Sequence, residues 1–207
     1  MAGSNGRVIL LIGPSCAGKS TLTKALQALS PEPYLAQSLD GLFAAVPDEW
    51  GGSGRHTLEG FFYDWSASPA DGGPAVRRIG YGPVGWTFLQ GFHRAVAAYA
   101  EAGVDVVVDD MLLDLAVLTD WAHALRGVPA LLVNVTAPKA ELLRREAERQ
   151  LHPTPGLVAG HFDLHQAIAA DAVIDTSALT PPDAARSLLD IASSSRTFTA
   201  LHAFQRP

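Results

Sequence analysis

Gly13-Pro14-Ser15-Cys16-Ala17-Gly18-Lys19-Ser20 has the spacing G-x-x-x-x-G-K-S, and Thr21 follows it. These residue types at this spacing suit one task, the holding of a polyphosphate. Glycines let successive backbone N–H groups curl round an anion. A helix that starts at the end of the loop adds the partial positive charge of its N-terminus. Lys19 can neutralise β- and γ-phosphates, the Ser20 hydroxyl can ligate Mg²⁺, and Thr21 is placed for a further phosphate contact. Cys16 lies inside the loop and reads as a small filler, not as a reactive thiol.

Three carboxylates stand where they could serve such a loop. Asp109 ends the apolar run Val104–Val108, and open α/β sheets bind ligands at the C-terminal ends of their strands. An acid there holds Mg²⁺ directly or through water. Asp110 reads as the cap of the helix that follows and, beside Asp109, as a candidate contact for an acceptor. Asp40 follows the short strand Tyr34–Ser38 by one residue. It could accept the proton of an attacking hydroxyl, or it could simply cap the next helix, since Asp is favoured at N-caps. Spacing alone leaves both readings of Asp40 open.

Arg144, Arg145 and Arg149 fall on one helical stretch before His152-Pro153-Thr154-Pro155-Gly156, and Arg145 and Arg149 share a face. Arginines that fold over a nucleotide stabilise charge on a transferring phosphoryl group, which makes Arg145 and Arg149 catalytic candidates beside Lys19 and Asp40. Pairs such as Glu141–Arg145 on a solvated face are the bland alternative. His161 and His165 are four apart, the spacing of a metal pair, but no third ligand stands near, so they read as surface or lid histidines.

The elements that must position these groups follow from hydrophobic patterning. Arg7–Ile12 is a continuous apolar run, the mark of a strand buried on both faces. Helical spacing covers Lys19–Leu29, Leu39–Val46, Val84–Ala102, Leu112–Leu125, the stretch from Pro138 to Arg149, Leu157–Ala169 and Pro182–Ser193. Further strands are predicted at Val104–Val108, Ala130–Val135 and Ala172–Asp175. Strands alternating with helices predict an α/β fold, a parallel sheet covered on both sides. Residues 48–83 interrupt this rhythm with many glycines and with Trp50, Phe61, Phe62, Tyr63 and Trp65. So long a structureless loop is unusual, and the aromatic density predicts an ordered excursion containing a small hairpin. Trp50, Phe62 and Trp65 are candidate contacts for an organic ligand; a satellite hydrophobic cluster is the alternative.

The chain has 207 residues, 48% of them hydrophobic and 17% charged, which suits one domain over 1–207 with a substantial core. The net charge of −6 argues against a nucleic-acid partner. One cysteine excludes an internal disulfide and a cysteine zinc cluster. No 18-residue apolar run and no signal-peptide pattern is present, so a cytoplasmic protein without membrane attachment is expected. A homo-oligomer is left open.

The sequence resembles the chloramphenicol phosphotransferase family of P-loop kinases. The similarity runs from the strand and loop to Lys19-Ser20 through Pro31-Glu32-Pro33-Tyr34-Leu35-Ala36 leading to Asp40. It continues at Gly82-Pro83, Ala102-Gly103, Val106-Val107-Val108-Asp109-Asp110 and Val173-Ile174-Asp175-Thr176. The resemblance implies a three-layer α/β/α kinase fold with a five-stranded parallel sheet in the order 2-3-1-4-5. It implies ATP and Mg²⁺ as cofactors, a small antibiotic-like acceptor phosphorylated on a primary hydroxyl, and Asp40 as general base. Two features depart from the family: the segment between Pro47 and Gly82 is longer and more aromatic, and the lid segment, 150–157, begins Gln150-Leu151-His152 where relatives tend to carry Gly-Asp-Arg. A kinase of a nucleoside, sugar or other metabolite would share the same motifs. A nucleotide-dependent switch would also use the loop, but would need a water-positioning residue that the sequence does not display.

Overall fold

The computed structural model describes residues 5–64, 76–150, 154–194 and 197–205. Along the chain run β1 (Val8–Ile12), α1 (Lys19–Leu29), β2 (Tyr34–Ser38), α2 (Leu39–Ala45), a 3-10 turn (Asp48–Trp50), β3 (Phe61–Asp64) and β4 (Arg78–Tyr81). Then come α3 (Pro83–Glu101), β5 (Asp105–Asp110), α4 (Leu115–Ala124), β6 (Ala130–Thr136), α5 (Lys139–Glu148), α6 (Leu157–Gln166), β7 (Ala172–Asp175), α7 (Pro181–Ser193) and a second 3-10 turn (Ala200–Phe204).

Five strands pair in parallel in the order β2-β5-β1-β6-β7, which is 2-3-1-4-5 when only those five are counted. The central strand β1 is wholly buried because its residues feed both faces of the sheet. Val8, Leu10 and Ile12 pack with Leu89, Leu118 and Trp121 from α3 and α4. Ile9 and Leu11 pack with Leu22, Leu26 and Leu188 from α1 and α7. Truncating one of these to alanine costs about 2–5 kcal/mol, since the rigid surroundings close only part of the hole.

Register sets the site. Leu11 pairs with Asp109 on one side of β1, and Ile12 pairs with Asn134 on the other. Ser38 also pairs with Asp109, and Thr136 with Asp175. The C-terminal ends of all five strands therefore open on one level, the level at which the loop after β1 begins.

The interruption after α2 is ordered where it is described. Phe61–Asp64 and Arg78–Tyr81 form the antiparallel hairpin, Phe61 opposite Tyr81. Phe61 is buried and meets Phe43 edge-on at 4.8 Å, which ties the hairpin to α2. Trp65 lies outside the described residues, as do residues 151–153 of the lid segment.

One predicted helix begins elsewhere. Instead of Leu112, α4 starts at Leu115, because Leu112 takes a left-handed φ of 56° and, with Leu113, turns into the core. Asp114 caps α4 by accepting from Val117 N, so Asp110 is not its cap. Behind α4, Asp120 bridges to α3. Burial alone would raise its pKa, but hydrogen bonds from His93, Arg94 and Gln90 win and hold it well below the usual carboxylate range.

Candidate active site

The loop from Gly13 to Gly18 joins β1 to α1 with no room to spare. A Cβ at Gly13 would lie 2.1 Å from the Val135 carbonyl oxygen, and φ there is +155°. Only glycine lets the chain leave β1 so close to β6. Lys19 closes the loop on itself: its Nζ donates to the Gly13 carbonyl at 2.8 Å and the Pro14 carbonyl at 3.1 Å. The same ammonium stands 3.8 Å from Asp109 Oδ1. An incoming phosphate would compete for a cation already held at the loop.

Ser20, at the second position of α1, donates to Asp109 Oδ2 at 2.5 Å. A hydroxyl and a carboxylate brought together at the cleft suit a hard cation such as Mg²⁺, which keeps waters and phosphate oxygens as its remaining ligands. The chemistry of this Ser20–Asp109 pair is compatible with such an ion.

A cleft of about 890 Å³ opens over the loop, lined by Ser15, Lys19, Ser20, Thr21 and Asp109 together with Asp40, Phe43, Tyr63 and Ile79. Asp40 is exposed to the cleft from the first turn of α2. It is not the cap. Ser38 holds that position, its hydroxyl accepting from Gly41 N at 3.0 Å. The choice that spacing left open falls against capping, and Asp40 is left facing the same space as Lys19.

Arg145 reaches the loop from α5. Its Nη1 donates to Thr176 Oγ1 at 2.9 Å and more weakly to the Cys16 carbonyl at 3.4 Å, while Nε pairs with Glu141 at 2.8 Å. The Glu141 pair and the approach to the loop therefore coexist in one guanidinium. Arg149 lines the cleft as well. Arg144 instead pairs with Glu141 and Glu148 on the exposed side.

Other expectations need correcting. Asp110 is fully buried: it accepts from Trp121 Nε1 and Leu112 N, both at 2.7 Å, and faces the core, not an acceptor. Side chains alternate across a strand, so Asp109 and Asp110 point to opposite faces. Trp50 stacks on His56 at 4.7 Å and does not line the cleft. Phe62 lines a second cavity of about 570 Å³ that shares Phe43, Tyr63 and Ile79 with the cleft. His161 and His165 are not surface histidines; both are buried on the inner face of α6.

Thr176 was not singled out from the sequence. Its hydroxyl donates to the Ala17 carbonyl at 2.8 Å and accepts from Arg145, so it joins the phosphate loop to α5. Its place just past the last strand was the available signal.

A family of chloramphenicol phosphotransferase-like proteins matches residues 6–193. The chain belongs to the chloramphenicol phosphotransferase-like family of P-loop kinases. Two proteins of Mycobacterium tuberculosis, from strains CDC 1551 / Oshkosh and H37Rv, carry the name "Putative O-phosphotransferase". Each is 31% identical to this chain over 193 residues, spanning 91% of it and 83% of the relative. The fold recurs in solved kinases. An APS kinase of M. tuberculosis in complex with AMPPNP and APS superposes with a TM-score of 0.62 at 14% identity, over 92% of this chain and 99% of that one. An unliganded sugar kinase of Janibacter sp. HTCC2649 gives 0.60 at 18% identity, over 90% and 96%. Shikimate kinase of Acinetobacter baumannii with shikimate gives 0.56 at 16% identity, over 91% and 93%. As a member of this family the chain is a phosphotransferase with a hydroxyl acceptor. Among its described residues no helix is long and apolar enough to cross a membrane.

Proposed function

We propose that this protein transfers the γ-phosphoryl group of ATP to a hydroxyl of a small organic acceptor seated at Asp40. Chloramphenicol, through its primary hydroxyl, is the leading candidate. The observation that carries this reading is that Asp40 and Lys19 line one and the same cleft, while Ser38 and not Asp40 caps α2.

The loop amides and Lys19 would hold the donor's phosphates, and Arg145 and Arg149 would meet charge that grows on the transferring group. Ser20 and Asp109 would hold Mg²⁺, which would neutralise phosphate oxygens. Asp40 would accept the acceptor's proton, or orient its hydroxyl, as oxygen attacks in line. The acceptor's body would rest on Phe43, Tyr63 and Ile79 and extend toward the second cavity, where Phe62 adds an aromatic wall. Such surfaces suit an organic molecule with apolar area better than one lined with hydroxyls, because each buried hydroxyl needs a polar partner.

A screen of hydroxyl-bearing antibiotics, nucleosides and sugars with ATP, read by mass, tests this. The expected result is one added phosphoryl group on an apolar acceptor and ATP turnover that rises with it. Preferred transfer to a sugar or nucleoside would replace the antibiotic-like acceptor with a metabolite. ATP hydrolysis unmoved by every acceptor would overturn the kinase reading in favour of a nucleotide switch.

A further inference from the structure

His161 and the strand it touches form a physical link between the two ends of the cleft. The link starts at the phosphate loop, where Arg145 contacts Cys16 and Thr176. The next residue of α5, Glu146, accepts from Gly156 N at 3.0 Å and Val158 N at 2.8 Å, so it caps the first turn of α6. Without that carboxylate those helix-start amides would lose their partner. The far side of α6 then carries β4. Arg78 Nε donates to the Gly160 carbonyl at 2.9 Å, and Ile79 N donates to His161 Nε2 at 3.1 Å. The approach is so close that a Cβ at Gly160 would lie 1.9 Å from the Arg77 carbonyl oxygen. Ile79 in turn lines both the cleft and the second cavity.

The Ile79 contact is unusual in kind. Its amide donates to a side chain, an imidazole that is only 2% exposed. The buried His161 ring thus gives this part-buried amide an acceptor within the protein, and losing it would leave the amide without that partner. The acceptor-side wall is therefore fastened to the helix whose start is held by α5.

We propose that His161 is a positioning residue that couples nucleotide binding to the acceptor wall. A donor that draws Arg145 onto its phosphates steadies α5, hence the start of α6, hence β4 and Ile79. The inference rests on the proposed donor site. It assigns His161 a role in acceptor binding through Ile79, not in phosphoryl transfer itself.

Hydrogen exchange on the full chain, with and without AMPPNP and magnesium, tests it without a known acceptor. In the wild type, nucleotide should slow exchange at the Ile79 amide by about 5–150-fold, the usual span of coupling between sites. His161→Phe keeps the ring volume but offers no acceptor, and the effect at Ile79 should fall toward unity while loop amides stay protected. His161→Gln places an amide oxygen near Nε2 and should restore it. A mere packing role would predict the reverse order, Phe better than Gln. Protection of the loop with no change at Ile79 in the wild type overturns the coupling and leaves the kinase reading standing. No protection of the loop overturns both. An undiminished response in His161→Phe shows that the link runs elsewhere. If His161→Phe fails to melt cooperatively, the wild type and His161→Gln decide: both must respond at Ile79, and silence in either overturns the role.

Discussion

Ser38 caps α2 and Asp40, two residues later, does not, although Asp is at least as good a capping residue as Ser. Capping and acceptor chemistry are thereby divided between two side chains and can be tested apart. Asp40→Asn is expected to lower kcat by about 10²–10⁴ with little change in melting temperature. Ser38→Ala is expected to cost about 0.5–2 kcal/mol of stability and to leave kcat largely in place. Thermal melting and acceptor turnover on both variants check this; near-normal turnover in Asp40→Asn would end the general-base role.

Lys19→Ala is expected to weaken ATP binding and to reduce turnover on the order of 10²–10³, because it removes a charge that matters most as charge develops on the phosphates. Titration of a fluorescent ATP analogue together with steady-state rates measures both effects. Turnover within a few-fold of wild type would contradict a phosphate-binding role for the loop.

Ser20 Oγ and Asp109 Oδ2 share one hydrogen bond, and both are assigned to the same ion. Ser20→Ala and Asp109→Asn should each raise the Mg²⁺ concentration needed for half-maximal rate. The double variant should show less than the sum of the two losses, since either change breaks the same constellation. Additive losses would mean that the two residues act separately.

Asp110→Ala is expected to act on folding. It strands two buried donors, Trp121 Nε1 and Leu112 N, and each unsatisfied group costs about 1–3 kcal/mol. Chemical denaturation gives the loss. Acceptor KM in the surviving folded fraction should be little changed; a selective rise in KM at unchanged stability would return Asp110 to the acceptor site.

Acid should loosen the α6 region first. His161 is held down to about 4, by burial foremost and then by the positive charges of Arg78 and Lys19, against a small opposing pull from Asp114. His165 is held down to about 3, again by burial foremost and then by Lys19 and His161, opposed by the Met111 backbone. An unfolded histidine titrates near ~6.5. Below that value the unfolded chain binds more protons, so stability is full at neutral pH and declines as pH falls toward the depressed values. The slope is up to about 1.4 kcal/mol per pH unit for each histidine. Urea midpoints at about pH 7.5 and about pH 5 should show it, and His161→Gln should remove part of it. An unchanged slope in that variant would mean that His161 is not kept neutral by the fold.

The sequence by itself carried the phosphate loop, most element boundaries and the parallel sheet. These depend on short-range rules: glycine conformations, an unbroken apolar run in β1, and caps and prolines at helix ends. It carried Asp109 as well, because a residue at the end of a buried strand has its location fixed by the strand. What it could not carry were choices between neighbours of equal chemistry. Asp109 faces the cleft and Asp110 the core because of a one-residue alternation, and the left-handed Leu112 that follows donates its amide to Asp110, the carboxylate that Trp121 from a later helix also engages. Ser38 took the cap that Asp40 could have taken. His161 and His165 read as exposed because a polar ring on a short helix gives no sign of burial; tertiary packing buries both, with β4 meeting the His161 ring through Ile79 N. The role of Thr176 likewise exists only once β7 lies beside β6, next to a loop 159 residues away in sequence. Local chemistry sets the elements and the phosphate loop, whereas tertiary packing decides which of two like residues meets the cleft.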